Sequence, residues 1–122
     1  MAIPVILITG ASQGIGAAIA RTFAREVRGA HLALVARNVK NLAAVARACT
    51  KLGAAAECFA CDVADEASVA AMTKAVAKRF GGVDVLINNA GAFVQAPFAQ
   101  TTVAQFDGMI ATNLRSAFLV TR

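Results

Sequence analysis

Thr9-Gly10-Ala11-Ser12-Gln13-Gly14-Ile15-Gly16 places three glycines between an apolar run, Ile3 to Ile8, and a helix-like run from Ala17 to Arg25. That spacing suits the chemistry of holding a dinucleotide pyrophosphate. Gly10 supplies the positive φ with which a chain leaves a strand tightly, and Gly14 lets backbone approach phosphate. Gly16 lets the helix pack closely on the strand. Free N–H groups and the dipole at the helix start then favour an anion. The competing reading of the glycines alone is an ordinary tight turn from strand to helix.

A second group of polar residues falls where apolar runs end. Asp62-Val63 follows Ala56 to Cys61, and Asn88-Asn89-Ala90-Gly91 follows Val83 to Ile87. Arg37 follows His31 to Ala36, and its planar cationic fork is suited to phosphate. Asn113 stands amid Ile110, Leu114 and Ala117, where a buried amide needs partners.

Together, TGASQGIG and NNAG in this order, with Asp62-Val63 and Asn113, resemble the short-chain dehydrogenase/reductase family from Ile3 onward. The resemblance implies an oxidoreductase that moves hydride between a nicotinamide cofactor and a small-molecule carbonyl or alcohol substrate. It implies cofactor contacts from Gly10, Ser12, Gln13, Gly14, Ile15, Gly16, Arg37, Asp62, Val63, Asn89, Ala90 and Gly91; the alternatives are a structural role for Asn88 and Asn89 and an ordinary surface arginine at Arg37. Asp62 would accept from the adenine amino group; its other reading is a turn or helix-capping aspartate before Asp65. Asn113 aligns with the helix asparagine of the family's catalytic tetrad, which organises a proton-relay water; a structural amide bonded to backbone is the alternative.

NAD-preferring relatives place an acid at the end of the second strand, aligned with Ala36. With alanine there, and Arg37 next, the resemblance implies NADP(H) in preference to NAD(H), with Ser12 as a further donor. Many NADP-dependent relatives carry a basic residue where this chain has Gln13. The family's Ser and Tyr-x-x-x-Lys fall beyond Arg122, and this chain contains no tyrosine. The expectation is therefore a cofactor-binding portion, residues 1–122, which is inactive alone. The alternative is a nucleotide-binding or scaffolding module without catalysis. The helix carrying Phe106, Ile110, Leu114 and Phe118 has a family counterpart that packs on a partner subunit, which implies a homo-oligomer.

The elements that must position these residues alternate apolar runs with helical patterns, the mark of βαβ units around a parallel sheet. Strands are expected at Ile3 to Thr9, His31 to Ala36, Ala56 to Cys61 and Val83 to Ile87. The first helix should run from Gly14 to Arg28. The second should be capped by Asn38 and stop near Gly53, and the third should be capped by Asp65 and end at Gly81-Gly82. The last should start at Thr101 or Thr102. Right-handed crossovers give an α/β, Rossmann-type doubly wound sheet of strand order 3-2-1-4, incomplete at its C-terminal side. The fourth strand is then an exposed edge.

Composition narrows the remaining classes. The net charge is +5, but the basic residues are spread over several helices without an interleaved set of aromatic residues to stack bases, which argues against nucleic acid. Although 58% of residues are hydrophobic, no apolar run is long enough for a membrane span. The first apolar run breaks at Thr9-Gly10 and lacks a cationic segment, so it reads as a core strand and the expected location is cytoplasmic. Cys58-x-x-Cys61 lies in a strand, where residues three apart face opposite ways. Buried, reduced cysteine is expected there, and no metal. His31 sits at the sheet end opposite the ligand and reads as a surface residue.

Overall fold

A computed structural model describes residues 2–122. Four parallel strands form one sheet in the order β3-β2-β1-β4. They are β1 (Val5–Thr9), β2 (His31–Ala36), β3 (Ala55–Ala60) and β4 (Val85–Ile87). The helices between them are α1 (Gly14–Glu26), α2 (Val39–Lys51) and α3 (Glu66–Phe80). After β4, a loop and a 3-10 turn (Phe98–Gln100) lead to α4 (Val103–Ile110), a π-turn (Ala111–Arg115) and α5 (Ser116–Thr121). The expected strand order is therefore the observed one.

Strand alternation sorts the core onto two faces. Ile6, Ile8, Leu32 and Leu34 pack with Ala17, Ala20 and Ala24 of α1 and with Leu42, Val45 and Cys49 of α2. Leu7, Ala33 and Val35 pack with Val69, Met72 and Val76 of α3 and with Leu119 and Val120 of α5. Period 2 in the strands and 3.6 in the helices dictate this division. Each fully buried Leu or Ile contributes roughly 1.5–3 kcal/mol to folding.

Local chemistry sets the helix ends. Asn38 Oδ1 accepts from Asn41 N–H at 3.0 Å, and Asp65 Oδ2 accepts from Ser68 N–H at 2.9 Å. Thr102 and Gln105 form a reciprocal capping box. Gly81 closes α3 with φ +86°, a conformation that disfavours side chains.

Two strands start later than their apolar patterns suggest, for polar reasons. Pro4 has no N–H to give a ladder, so β1 begins at Val5. Asp84 clamps that start, its carboxylate accepting from Val5 N–H at 2.7 Å while its own N–H donates to Val5 O at 2.8 Å. β4 thus begins only at Val85, and it is one of the sheet's two edges, with Val85 36% exposed. The last helical stretch also departs from a single expected helix, being interrupted by the π-turn around Asn113.

Candidate active-site cleft

The β1–α1 turn is built from what its glycines omit. Gly10 has φ +65°, and a Cβ there would lie 2.9 Å from Ala90 Cα. A Cβ on Gly16 would overlap the Gly10 carbonyl oxygen and lie 2.5 Å from Asn89 Nδ2. Gly14 differs: its φ is +56°, but a Cβ would meet nothing within 4 Å. Gly10 and Gly16 therefore allow the turn to pack, whereas Gly14 faces open space.

Helix α1 begins with no side-chain cap at Gln13 and no acid in its first turn, although α2, α3 and α4 all carry caps. Its first N–H groups and dipole are left for an anion from outside.

This turn opens into a cleft of about 770 Å³ at the carboxyl ends of the strands. Gly10, Ser12, Gln13, Gly14 and Ile15 line it from the turn, and Ala36 and Arg37 from the end of β2. Asp62 and Val63 line it after β3, and Asn89, Ala90 and Gly91 after β4. Of the expected contacts, Gly16 alone is not on its wall, being buried behind Gly10. Ile15 is 73% exposed on the rim. Asn38, Asn41, Cys61 and Thr112 also line the cleft and were not anticipated.

Electrostatically, the cleft has one cation and one acid, Arg37 and Asp62. Arg37 is exposed and makes no ion pair among the described residues. Asp62 is held in an Asx turn: Oδ1 accepts from Ala64 N–H at 3.1 Å, and its N–H donates to Ser68 Oγ at 3.0 Å. Both readings of Asp62 thus have structural content, since the turn occupies one carboxylate oxygen within the cleft.

The Asn-Asn-Ala-Gly segment is fastened by Thr9, whose importance sequence reasoning missed. Thr9 is 2% exposed, and its Oγ1 accepts from the N–H groups of both Asn89 and Ala90 at 3.0 Å. Asn89 Nδ2 returns bonds to the carbonyls of Thr9 and Gly10, each at 3.2 Å. Asn88 points elsewhere, donating to Thr121 Oγ1 at 3.0 Å. One hydroxyl at the end of an otherwise apolar strand was the available signal, because a buried hydroxyl needs partners.

Asn113 lies outside the cleft lining and is exposed rather than buried, which corrects the expectation drawn from its apolar neighbours. Those neighbours are themselves largely exposed: Ile110 is 42% and Leu114 65% accessible. Both amide protons and one acceptor site of Oδ1 are engaged with backbone. Nδ2 donates to Ala92 O at 2.8 Å and Met109 O at 2.9 Å, while Oδ1 accepts from Ala92 N–H at 3.0 Å. A Cβ on Gly91 would lie 2.7 Å from that Oδ1.

The thiols sit on opposite sides of the sheet, Cys58 against one core cluster and Cys61 in the other, so they cannot share one ion. Burial pushes both thiols up. His31 stacks on Phe80 at 5.3 Å, at the other end of β2 from the cleft.

A parallel sheet with a glycine turn at the carboxyl end of its first strand and a cleft astride that turn defines a Rossmann-type dinucleotide-binding protein. The model for short chain dehydrogenases matches residues 4–122, and the chain belongs to that family. It is 43% identical over 116 residues to the D-threitol dehydrogenase of Mycolicibacterium smegmatis, covering 95% of this chain and 44% of that protein. A metagenomic short-chain oxidoreductase in complex with NADP superposes with TM-score 0.90 at 41% identity, covering 98% of this chain and 53% of the other. The 3-ketoacyl-(acyl-carrier-protein) reductase of Brucella melitensis, complexed with NADH, superposes with TM-score 0.88 at 35% identity, over 98% and 47% respectively. The chain thus spans about half the length of the relatives it matches. As solved relatives hold NADP or NADH, a nicotinamide cofactor is supported for the family's fold. No helix among the described residues is long and apolar enough to cross a membrane.

Proposed function

We propose that residues 1–122 are the cofactor-binding portion of an NADP(H)-dependent oxidoreductase acting on a small carbonyl or alcohol. The observation that carries this reading is the single cleft in which the uncapped start of α1, unpaired Arg37 and Asp62 meet. The residues present fit such a group. Gly14 leaves room for a diphosphate beside free N–H groups, and Ala36 adds no acid to repel a 2′-phosphate that the Arg37 fork would pair. Ser12 adds a hydroxyl donor, and Asp62 has a carboxylate oxygen outside its Asx turn for an adenine amino group. Val63, Ala90 and Gly91 offer small or apolar walls to the base and ribose, while Gln13 and Ile15 flank the approach to the phosphates.

The nicotinamide, when bound, supplies or accepts hydride. This chain's part is to bind and orient it. The Asn113 side chain holds the segment after Gly91 and so shapes the cleft from behind; both amide protons are committed, so a direct share in proton relay would fall to an acceptor, its backbone carbonyl or the second site on Oδ1. With no tyrosine in the chain, the proton donor of the family reaction is not among these residues. We propose a cytoplasmic homo-oligomer, with α4 and α5 offering the exposed Phe106, Ile110, Leu114 and Phe118 to a second copy.

Titrating NADPH and NADH into the wild type and Arg37→Ala tests the cofactor assignment. The wild type should favour NADPH, and the variant should lose about tenfold or more for NADPH alone, the scale of a charge-assisted contact. Equal affinities in the wild type, or an equal loss for both cofactors, would overturn it.

A further inference from the structure

The loop after β3 contains a hydrogen-bond chain that the cofactor reading does not require. Ser68 lies half-buried in the first turn of α3, six residues beyond Asp62. Its Oγ accepts the Asp62 N–H at 3.0 Å and faces Cys61 Sγ at 3.5 Å as donor. The hydroxyl's donor is thereby used, and one acceptor site is committed. Asp65 fixes Ser68 in turn, accepting its N–H at 2.9 Å, and Asp65 N–H donates back to Asp62 O at 3.0 Å. The loop therefore closes on itself through Asp62, Asp65 and Ser68.

The consequence falls on the Asp62 carboxylate. Its Oδ1 is held by Ala64 N–H, and its backbone is held on one side by Asp65 and on the other by Ser68. A carboxylate on an exposed loop would otherwise sample several rotamers, at an entropic cost to any ligand that needs one of them. Here the backbone is pinned from the helix, and Oδ1 from the loop, which limits where Oδ2 can lie. Cys61 and Asp62 both line the cleft, so a shift at this point would move its wall.

We infer that Ser68 is a positioning residue that preorganises Asp62 to select an adenine base over a 6-oxopurine. This inference rests on the proposed adenine contact of Asp62. An adenine presents an exocyclic amino donor to a carboxylate, whereas hypoxanthine presents a carbonyl oxygen and would be repelled. Selection of this kind requires the carboxylate to be fixed, because a mobile one can turn away from the wrong base.

The test uses NADPH and its hypoxanthine analogue, titrated into the wild type, Ser68→Ala, Ser68→Thr and Asp62→Ala. The wild type should prefer NADPH. Ser68→Ala should lower that preference by about three- to tenfold, the scale of one neutral hydrogen bond, and Ser68→Thr should restore it. Hydrogen exchange at the Asp62 amide should quicken in Ser68→Ala and not in Ser68→Thr. Helical content should persist in Ser68→Ala, since Asp65 still caps α3 through the backbone N–H of residue 68. If the wild type and Asp62→Ala show the same preference between the two cofactors, the adenine reading of Asp62 fails. If the wild type discriminates through Asp62 but Ser68→Ala discriminates equally well, the role of Ser68 fails.

Discussion

Asn113 and Ala92 are joined like two strands of a ladder. The Asn113 amide donates to the Ala92 carbonyl at 2.8 Å and accepts its N–H at 3.0 Å. A side chain thereby supplies both partners that a neighbouring backbone would give, twenty-one residues away. It fixes the chain just after Gly91, where the cleft ends and the loop toward α4 begins.

Asn113→Asp keeps the size of the side chain but replaces Nδ2 with an oxygen facing the carbonyls of Ala92 and Met109. Two donor bonds become two repulsive contacts, and a loss of about 1–3 kcal/mol in unfolding free energy is expected. Urea titration of both proteins would measure it. Coincident midpoints would mean that the clamp contributes nothing net.

Gly14 and Gly16 should fail differently when substituted. Gly16→Ala drives a methyl into the Gly10 carbonyl, so it should lower the melting temperature and weaken binding together. Gly14→Val has space but a positive φ, so it should cost about 1–2 kcal/mol of stability, keep most helical content and abolish nucleotide binding. Circular dichroism melts with NADPH titrations would separate the two; unchanged affinity in Gly14→Val would reduce the glycine turn to a connector.

Alkaline pH should destabilise the fold through its thiols. Burial raises the pKa of Cys49, Cys58 and Cys61 above the ordinary value, with Arg21 and Arg47 acting in the opposite direction at the first two. A group held protonated in the folded state ionises first in the unfolded one. The contribution is therefore intact below about pH 8.5 and is lost as pH rises through the folded values. No tyrosine titrates in the same range. Melting temperatures between about pH 8 and pH 10 should fall, and less so in a Cys49→Ala, Cys61→Ala variant; parallel profiles would count against the assignment.

The 122-residue chain alone should associate and should not transfer hydride. Val85 lies on an edge strand whose outer side is open, and Phe106, Ile110, Leu114 and Phe118 are each at least 42% exposed. Sedimentation, combined with NADPH oxidation against a series of ketones, is the measurement. A monomer that turns over would contradict both the proposed oligomer and the need for a tyrosine.

What could be read from the sequence was what local chemistry determines. Asn38 and Asp65 were legible as caps because a cap needs only the residues three positions on. The strand order followed from crossover handedness and the place of the glycine turn. Relations across long separations were not legible. Thr9 bonds Asn89 and Ala90 some eighty residues away, and Asn113 bonds Ala92 across a loop. Nothing in the spacing of those residues specifies the approach. Asn113 was expected among buried neighbours because apolar residues at helical spacing ordinarily face a core. Here the apolar face is turned outward.

The π-turn has a geometric effect on that outward face. In an uninterrupted α-helix, side chains four apart advance a little further around the axis at each step, since a turn takes 3.6 residues. Phe106, Ile110, Leu114 and Phe118 would therefore wind away from one another like a thread on a screw. The wider i→i+5 turn at Ala111–Arg115 holds back that advance midway along the row. One extra residue per revolution, inserted once, works as a vernier that keeps four large side chains in a straighter line than a regular helix would allow.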